Sequence, residues 1–134
     1  MRTTLVFLLV VASLLTSGCK KRVYCCAMPN DAKWELRTRS GGIAGEIKNY
    51  PAGNGNFYLF QGNAYKLYTD GQMTKHGWFQ IVQDSSYVLH QPASRIVFDN
   101  ETNALRTLVK FSSNKMTIQE DVFDGRTYEY EKAN

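Results

Sequence analysis

From residue 33 onward, the chain is a succession of short runs rich in aromatic and β-branched residues, separated by Gly, Asn, Asp and Ser. Such runs predict β-strands, and the separating residues supply the positive φ angles of tight hairpins. The predicted strands are Lys33–Arg39, Phe57–Phe60, Ala64–Thr69, His76–Gln83, Tyr87–His90, Arg95–Asp99, Ala104–Phe111, Lys115–Asp121 and Thr127–Lys132. Outside the first 18 residues, no window repeats apolar residues at helical spacing over three turns, so we expect almost no helix.

The predicted strands alternate apolar and polar residues. Within Ala104–Phe111, for example, Val109 and Phe111 point one way and Lys110 the other. One apolar face and one polar, solvent-exposed face are typical of antiparallel strands around a common interior. We therefore predict an all-β fold, a small antiparallel up-and-down barrel of about eight or nine strands, because closure removes exposed strand edges. A β-sandwich stays open as the alternative, since counting hairpins does not separate the two.

The chain begins with MRTTLVFLLVVASLLTSGC, in which one cation precedes an apolar run from Leu5 to Leu15. This run is too short to cross a bilayer and has the order of a secretory leader. Residues 15–19 also resemble a bacterial lipobox, which implies a diacylated Cys19. We expect residues 1–18 to be a lipoprotein signal peptide, 19–32 a lipidated flexible tether and 33–134 the barrel domain. The alternative is an ordinary secretory signal that ends near an incidental cysteine.

Lipidation at Cys19 would make a membrane the first partner of the protein. Lys20, Lys21 and Arg22 follow the cysteine, and cations beside an anionic leaflet strengthen attachment. We expect a bacterial cell-envelope location. A lysine rather than an aspartate after the cysteine favours the outer membrane.

The net charge of +4 and the pI of about 9.0 suggest a nucleic-acid partner at first sight. The surplus cations, however, are Arg2, Lys20, Lys21 and Arg22, all ahead of the predicted domain. From Asp31 to Asn134, 12 Lys and Arg balance 12 Asp and Glu. Without a basic run interleaved with aromatics, we expect no nucleic-acid binding.

Cys25 and Cys26 are adjacent in the predicted tether. A bridge between neighbours is strained, because adjacent Cα atoms lie closer than a disulfide prefers. We expect two free thiols, with a vicinal or intermolecular disulfide as the alternative in an oxidising envelope.

Several segments resemble the lipocalin-like lipoproteins of the Bacteroidetes. The resemblance lies in Trp34-Glu35-Leu36 followed by Gly41–Gly45, in a middle series that includes Gly77–Ile81, and in the closing segment Phe123–Lys132. It covers most of residues 33–132 as a pattern of strands and turns. It implies a small barrel whose interior holds an apolar molecule, and no catalytic residues come with it.

Motifs for catalysis are weak. Asp84, Ser85, Ser86 and His90 could be arranged as a triad, but the serines lack the glycines of a nucleophile elbow. Residues 99–103 alternate oxygen ligands without the turning Gly and distal Glu of a calcium loop, so we expect a plain hairpin. No phosphate-binding loop opens a helix. We expect no enzyme activity, no cofactor and no metal.

Aromatic residues are numerous, and they either fill a solid core or line a cavity, since an eight-stranded barrel is wide enough for either. The residues predicted to bind a ligand are Trp34, Phe57, Tyr65, Phe79 and Tyr128. The first functional hypothesis is an envelope lipoprotein whose barrel binds a small apolar or amphipathic molecule. The alternative is a structural or protein-interaction module with an unidentified protein partner.

Ser40–Gly45 contains three glycines in six residues. This composition predicts either a mobile flap over one barrel end or a local bulge or corner bend.

Overall fold

The computed structural model describes residues 31–134 as an all-β domain, with no helix among these residues. The predicted signal peptide, Cys19, the cysteine pair and all of the tether except its last two residues lie outside the described residues. The strands are β1 (Ala32–Gly41), β2 (Glu46–Asn49), β3 (Phe57–Gln61), β4 (Ala64–Thr69), β5 (Gln72–Ser85), β6 (Pro92–Phe98), β7 (Thr107–Phe111), β8 (Lys115–Glu120) and β9 (Arg126–Ala133).

Eight of the strands form a closed antiparallel barrel. Strands β3 to β9 follow one another as a meander, and β1 pairs with β3 on one side and β9 on the other. The β1–β9 ladder runs from Lys33 opposite Ala133 to Gly41 opposite Arg126. This closure confirms the predicted barrel and excludes the sandwich.

Strand β2 is an addition to the barrel that the sequence pattern did not predict. It pairs with the second half of β1, and β3 pairs with the first half. All four residues of β2 are exposed, and only one of them, Ile47, is apolar. The segment therefore lacks the alternation of apolar and polar residues that predicts a strand. The glycine-rich segment before it is a hairpin turn, closed by the bond from Gly45 N to Gly42 O at 2.9 Å.

Alternate residues of the strands point into the barrel and form its buried core. Phe60 and Met116 are wholly buried. Burial of a side chain of this size stabilises the fold by about 1.5–3 kcal/mol. The core cluster is Ala32, Trp34, Leu36, Phe60, Tyr65, Phe79, Ile81, Ile96, Val109, Met116, Ile118 and Tyr130.

A β-bulge in β1 changes which residues face the interior. The register with β9 shifts between Leu36 and Thr38, so Arg37 has no partner residue on β9. A bulge reverses the alternation beyond it. Arg39 therefore lies opposite Tyr128 and shares its inward face.

The prediction of a strand at Tyr87–His90 is wrong, because these residues form a turn between β5 and β6. His90 has a φ of 51°, and its amide donates to Ser86 O at 3.0 Å. The apolar residues that suggested a strand, Tyr87 and Leu89, are 63% and 58% exposed. This segment is held by hydrogen bonds to a buried carboxylate and not by burial of its apolar side chains.

That carboxylate belongs to Asp121, whose side chain is 1% exposed. It accepts hydrogen bonds from Ser86 Oγ at 2.6 Å and from the Tyr87 amide at 2.8 Å. Arg106 pairs with it at 3.4 Å, and the Arg106 guanidinium carbon lies 3.7 Å from the centre of the Tyr87 ring. We call Ser86, Tyr87, Arg106 and Asp121 the Asp121 clamp.

Candidate functional site

Two adjoining cavities, which share six lining residues, have volumes of about 480 Å³ and 510 Å³. Volumes in this range are typical of small-molecule sites. The first lies beside β6 and the 99–107 segment, and the second continues between β1, β3, β8 and β9. The residues that line both are Tyr58, Leu67, Lys75, Phe98, Leu105 and Thr107.

Tyr58 lies at the centre of the aromatic lining. Its ring centroid is 5.8 Å from that of Phe98, in a stacked arrangement, and 5.5 Å from that of Tyr130, in an edge arrangement. It also stacks on Phe60 at 5.5 Å and tilts against Tyr65 at 6.3 Å. The rings thus form a continuous apolar wall from the buried core to the cavities.

The tyrosine hydroxyls in this wall stay protonated at neutral pH. Burial, helped by the nearby Tyr128, raises the pKa of Tyr58 to about 12. Burial likewise raises the pKa of Tyr130 well above its usual value, and Tyr58 adds to the effect. A neutral phenol both donates and accepts a hydrogen bond, so these hydroxyls suit a polar atom on an otherwise apolar ligand.

The cavity of about 510 Å³ carries charged side chains at its lip. Arg39 and Lys75 contribute cations, and Glu120 contributes an anion. Glu120 is already engaged, because it accepts from the Arg126 amide at 2.9 Å and from the Tyr128 hydroxyl at 3.3 Å. The site therefore grades from an apolar interior to a charged lip.

Beside the smaller cavity, Asp99 fixes the β6–β7 connection. Its carboxylate accepts from the Trp78 amide at 2.8 Å and from the Tyr65 hydroxyl at 2.7 Å. The bond from the Trp78 amide and, to a lesser extent, that from the Tyr65 hydroxyl hold the pKa of Asp99 below its usual value. Burial, then the bond to Asp99, raises the pKa of Tyr65. Gly77 makes the approach possible, because an added Cβ there would overlap the Asp99 carboxylate.

The five residues predicted to bind a ligand divide into two groups. Tyr65 lines the smaller cavity, while Phe57 and Tyr128 line the larger one. Trp34 and Phe79 lie instead in the buried core, each 4% exposed.

The contacts of these residues separate the two groups further. Phe57 lies at the rim, where its ring stacks on Tyr68 at 4.3 Å and lies beneath Lys33 Nζ at 4.5 Å. Trp34 packs on Phe111 at 5.8 Å, and its buried indole nitrogen has no hydrogen-bond partner in the described part of the chain. Phe79 tilts against Phe60 at 4.7 Å.

Three aromatic residues that line the larger cavity are absent from the predicted ligand-binding residues: Tyr58, Phe98 and Tyr130. Strand alternation could have identified Tyr58, because side chains two positions apart on a strand lie on the same face and Phe60 is a core residue. The inward residue of this pair is therefore Tyr58, and the predicted Phe57 lies beside it at the rim of the larger cavity.

Within residues 31–134, no three or more His, Cys, Asp and Glu side chains are grouped in a way that could hold a metal ion. The same residues contain no helix long and apolar enough to cross a membrane. Ser86, considered for a triad, instead donates its hydroxyl to Asp121.

Fold and cavities together define a closed, eight-stranded antiparallel barrel with an aromatic interior that opens to solvent. Comparison with known proteins assigns it no family, since no family model, no curated protein and no solved structure matches the chain.

Proposed function

We propose that this protein is a binding protein of the bacterial cell envelope, whose barrel takes up a small apolar or amphipathic molecule. The observation that carries the proposal is the larger cavity, of about 510 Å³, which runs down to the Tyr58 and Tyr130 rings. An apolar pocket with a few convergent polar groups is the usual form of a small-molecule site.

The cavity can be tested by filling it. Leu67 lines both cavities, so a Leu67→Trp variant places an indole in the shared space. Lys66 is the exposed neighbour on the same strand, and Lys66→Trp is the matched control. Each protein is purified from the envelope of its own host without detergent exchange and measured by native mass spectrometry.

We expect a small molecule to accompany the unmodified protein and Lys66→Trp but to be absent from Leu67→Trp. Equal recovery from the two variants would place the molecule outside the barrel and refute the proposal. Circular dichroism of each variant shows whether the barrel is intact.

The envelope location rests on the leader and on Cys19. We propose that Cys19 is diacylated and holds the barrel at the outer membrane. Intact-mass measurement of the membrane-extracted protein should show cleavage before Cys19 and two added acyl chains. A soluble product cleaved elsewhere would support the ordinary secretory signal instead.

A second candidate function, a protein-interaction module, is favoured by two exposed loop tips. Ile43 and Phe123 are 94% and 91% exposed. Their loops are neighbours, because an added Cβ at Gly41 would overlap the Gly125 carbonyl. If this is the function, a protein that co-purifies reproducibly should be lost from an Ile43→Ser, Phe123→Ser double variant that keeps its small molecule.

A further inference from the structure

We propose that the barrel selects amphiphiles with an anionic head group, a carboxylate or a phosphate, bound by Arg39 and Lys75 at the cavity lip. This inference rests on the proposed function and specifies the class of ligand. It depends on a bulge that turns Arg39 inward, on the strand alternation that turns Lys75 inward, and on the absence of other partners for these cations.

Arg39 faces the cavity because of the bulge at Arg37. Beyond the bulge, Arg39 lies directly opposite Tyr128, which lines the same cavity. Without the extra residue, strand alternation would carry Arg39 to the outer face of the barrel. The bulge thus places the half-buried Arg39 beside an aromatic wall.

Lys75 faces the same space from the other side. It lies opposite Leu67 on β4, and both line both cavities. The alternation along β5 agrees, since Phe79 and Ile81 share the parity of Lys75 and are buried. The register of β5 with β4 shifts next to this position, between Leu67 and Tyr68, so Lys75 is the first residue of β5 in this inward series.

Neither cation has an ion pair or a hydrogen bond from its side chain within residues 31–134. By contrast, Arg37, Arg95 and Arg106 each pair with a carboxylate at 2.9–3.9 Å. Those three are structural cations, whereas Arg39 and Lys75 are left free for a ligand.

The acidic groups near the lip are engaged elsewhere. Lys75 is close enough to contribute to the lowered pKa of Asp99, but the Asp99 oxygens are held by Trp78 and Tyr65. Glu120 accepts from Arg126 and Tyr128, as described above. The other acid of the smaller cavity, Glu101, belongs to the β6–β7 connection and lines that cavity alone, beside His76.

The lip of the larger cavity therefore carries two cations and one anion. An anionic head group at this point would balance the charge and gain charge-assisted hydrogen bonds, while its tail contacts the Tyr58 and Phe98 rings. A cationic head group would meet like charges there. Charge-assisted bonds of this kind are worth about tenfold or more in affinity.

The experiment compares head groups on one tail. The protein used begins at position 19 with Cys19→Ser and contains the whole barrel, because the core lies within residues 32–130. Dodecanoate, dodecyl phosphate, dodecanol and dodecyltrimethylammonium are titrated below their micelle concentrations by calorimetry. We expect at least one anionic probe to bind about tenfold tighter than dodecanol or the cationic probe. The stronger of the two anions identifies the head group.

Substitutions of the two cations then test whether Arg39 and Lys75 cause the preference for an anionic head group. Arg39→Met and Lys75→Met should each lose about tenfold in affinity for the preferred anion and leave dodecanol unchanged. The matched control Lys66→Met, an exposed cation of the same hairpin, should leave both unchanged. Lys75→Glu should shift the preference toward dodecyltrimethylammonium, a reversal that a loss of folding cannot produce.

Equal binding of the four probes would overturn the head-group inference and leave the barrel as a binding protein. Binding of none by a folded protein would overturn both. Anion preference that survives in Arg39→Met and Lys75→Met would place the head group elsewhere and also overturn the inference.

Discussion

The Asp121 clamp gives the sharpest test of how this barrel is held together, and the perturbation is Asp121→Asn. The substitution keeps the shape of the side chain but removes its charge and replaces one acceptor oxygen with a donor. Ser86 Oγ, at 2.6 Å, and the Tyr87 amide, at 2.8 Å, donate to different oxygens of the carboxylate, so one of the two donors would face the new amide nitrogen. Arg106 also loses one of its two carboxylate partners.

The magnitude follows from burial. A buried donor left without an acceptor costs about 1–3 kcal/mol, and removal of one partner from a buried ion pair costs about 3–5 kcal/mol. Arg106 keeps its pair with Asp84 at 3.0 Å, so we expect a loss near the lower end, about 3 kcal/mol. With a urea m value of about 1–3 kcal/mol/M, the unfolding midpoint falls by at least about 1 M.

The measurement is urea unfolding followed by far-UV circular dichroism, with Asp124→Asn as the matched control. Asp124 lies in the same β8–β9 connection and is exposed. The control should stay within about 0.5 kcal/mol of the unmodified protein. Equal midpoints for Asp121→Asn and Asp124→Asn would refute the reasoning, because the clamp would then contribute nothing to stability.

The clamp also predicts a pH dependence. Burial alone would raise the pKa of Asp121, but hydrogen bonds from Ser86, Tyr87, Val88 and Arg106 outweigh it and hold the pKa below its usual value. A carboxyl whose pKa is lower in the folded state contributes stability above its unfolded pKa of about 3.9 and loses it as the pH falls further. The unmodified protein should therefore lose more stability than Asp121→Asn when the pH is lowered from about 5 to about 2.

Two further predictions concern packing. Gly77→Ala should cost about 3 kcal/mol in urea unfolding, because its Cβ would overlap the Asp99 carboxylate. Gly62→Ala, with no atom within 4 Å, should cost only about 1 kcal/mol of backbone strain. Phe60→Ala should cost about 3–5 kcal/mol because Phe60 is wholly buried, and Phe123→Ala, at 91% exposure, should change the midpoint little. Similar losses from the two members of either pair would contradict the packing described here.

Strand positions could be predicted because alternation and turn residues are local signals. Ala64–Thr69 was predicted with the bounds the structure has, and the barrel follows from a meander that must cover its edges. Strand β2 could not be predicted, since its four residues are exposed and it exists only by pairing with β1.

The candidate site was harder to predict than the fold. The aromatic character of Tyr65 and Tyr128 is enough to predict both as ligand-binding residues, and the structure places both at the cavities. Nothing local indicates that Arg39 faces inward, because its direction depends on a bulge defined by pairing with β9, about ninety positions away. The Asp121 clamp was missed for the same reason, since Ser86 lies 35 positions from the carboxylate it binds.

The β1–β9 ladder has a consequence for how the chain reaches its native state. It joins residues about 85 to 100 positions apart, from Gly41–Arg126 to Lys33–Ala133. Such pairings are slow to form, because closing a long loop costs entropy before the contacts are made. Until the eight residues of β9 have left the ribosome, the long edge of β1 has no partner and can pair with another chain. The nascent barrel therefore stays open and prone to association until β9 has been synthesised.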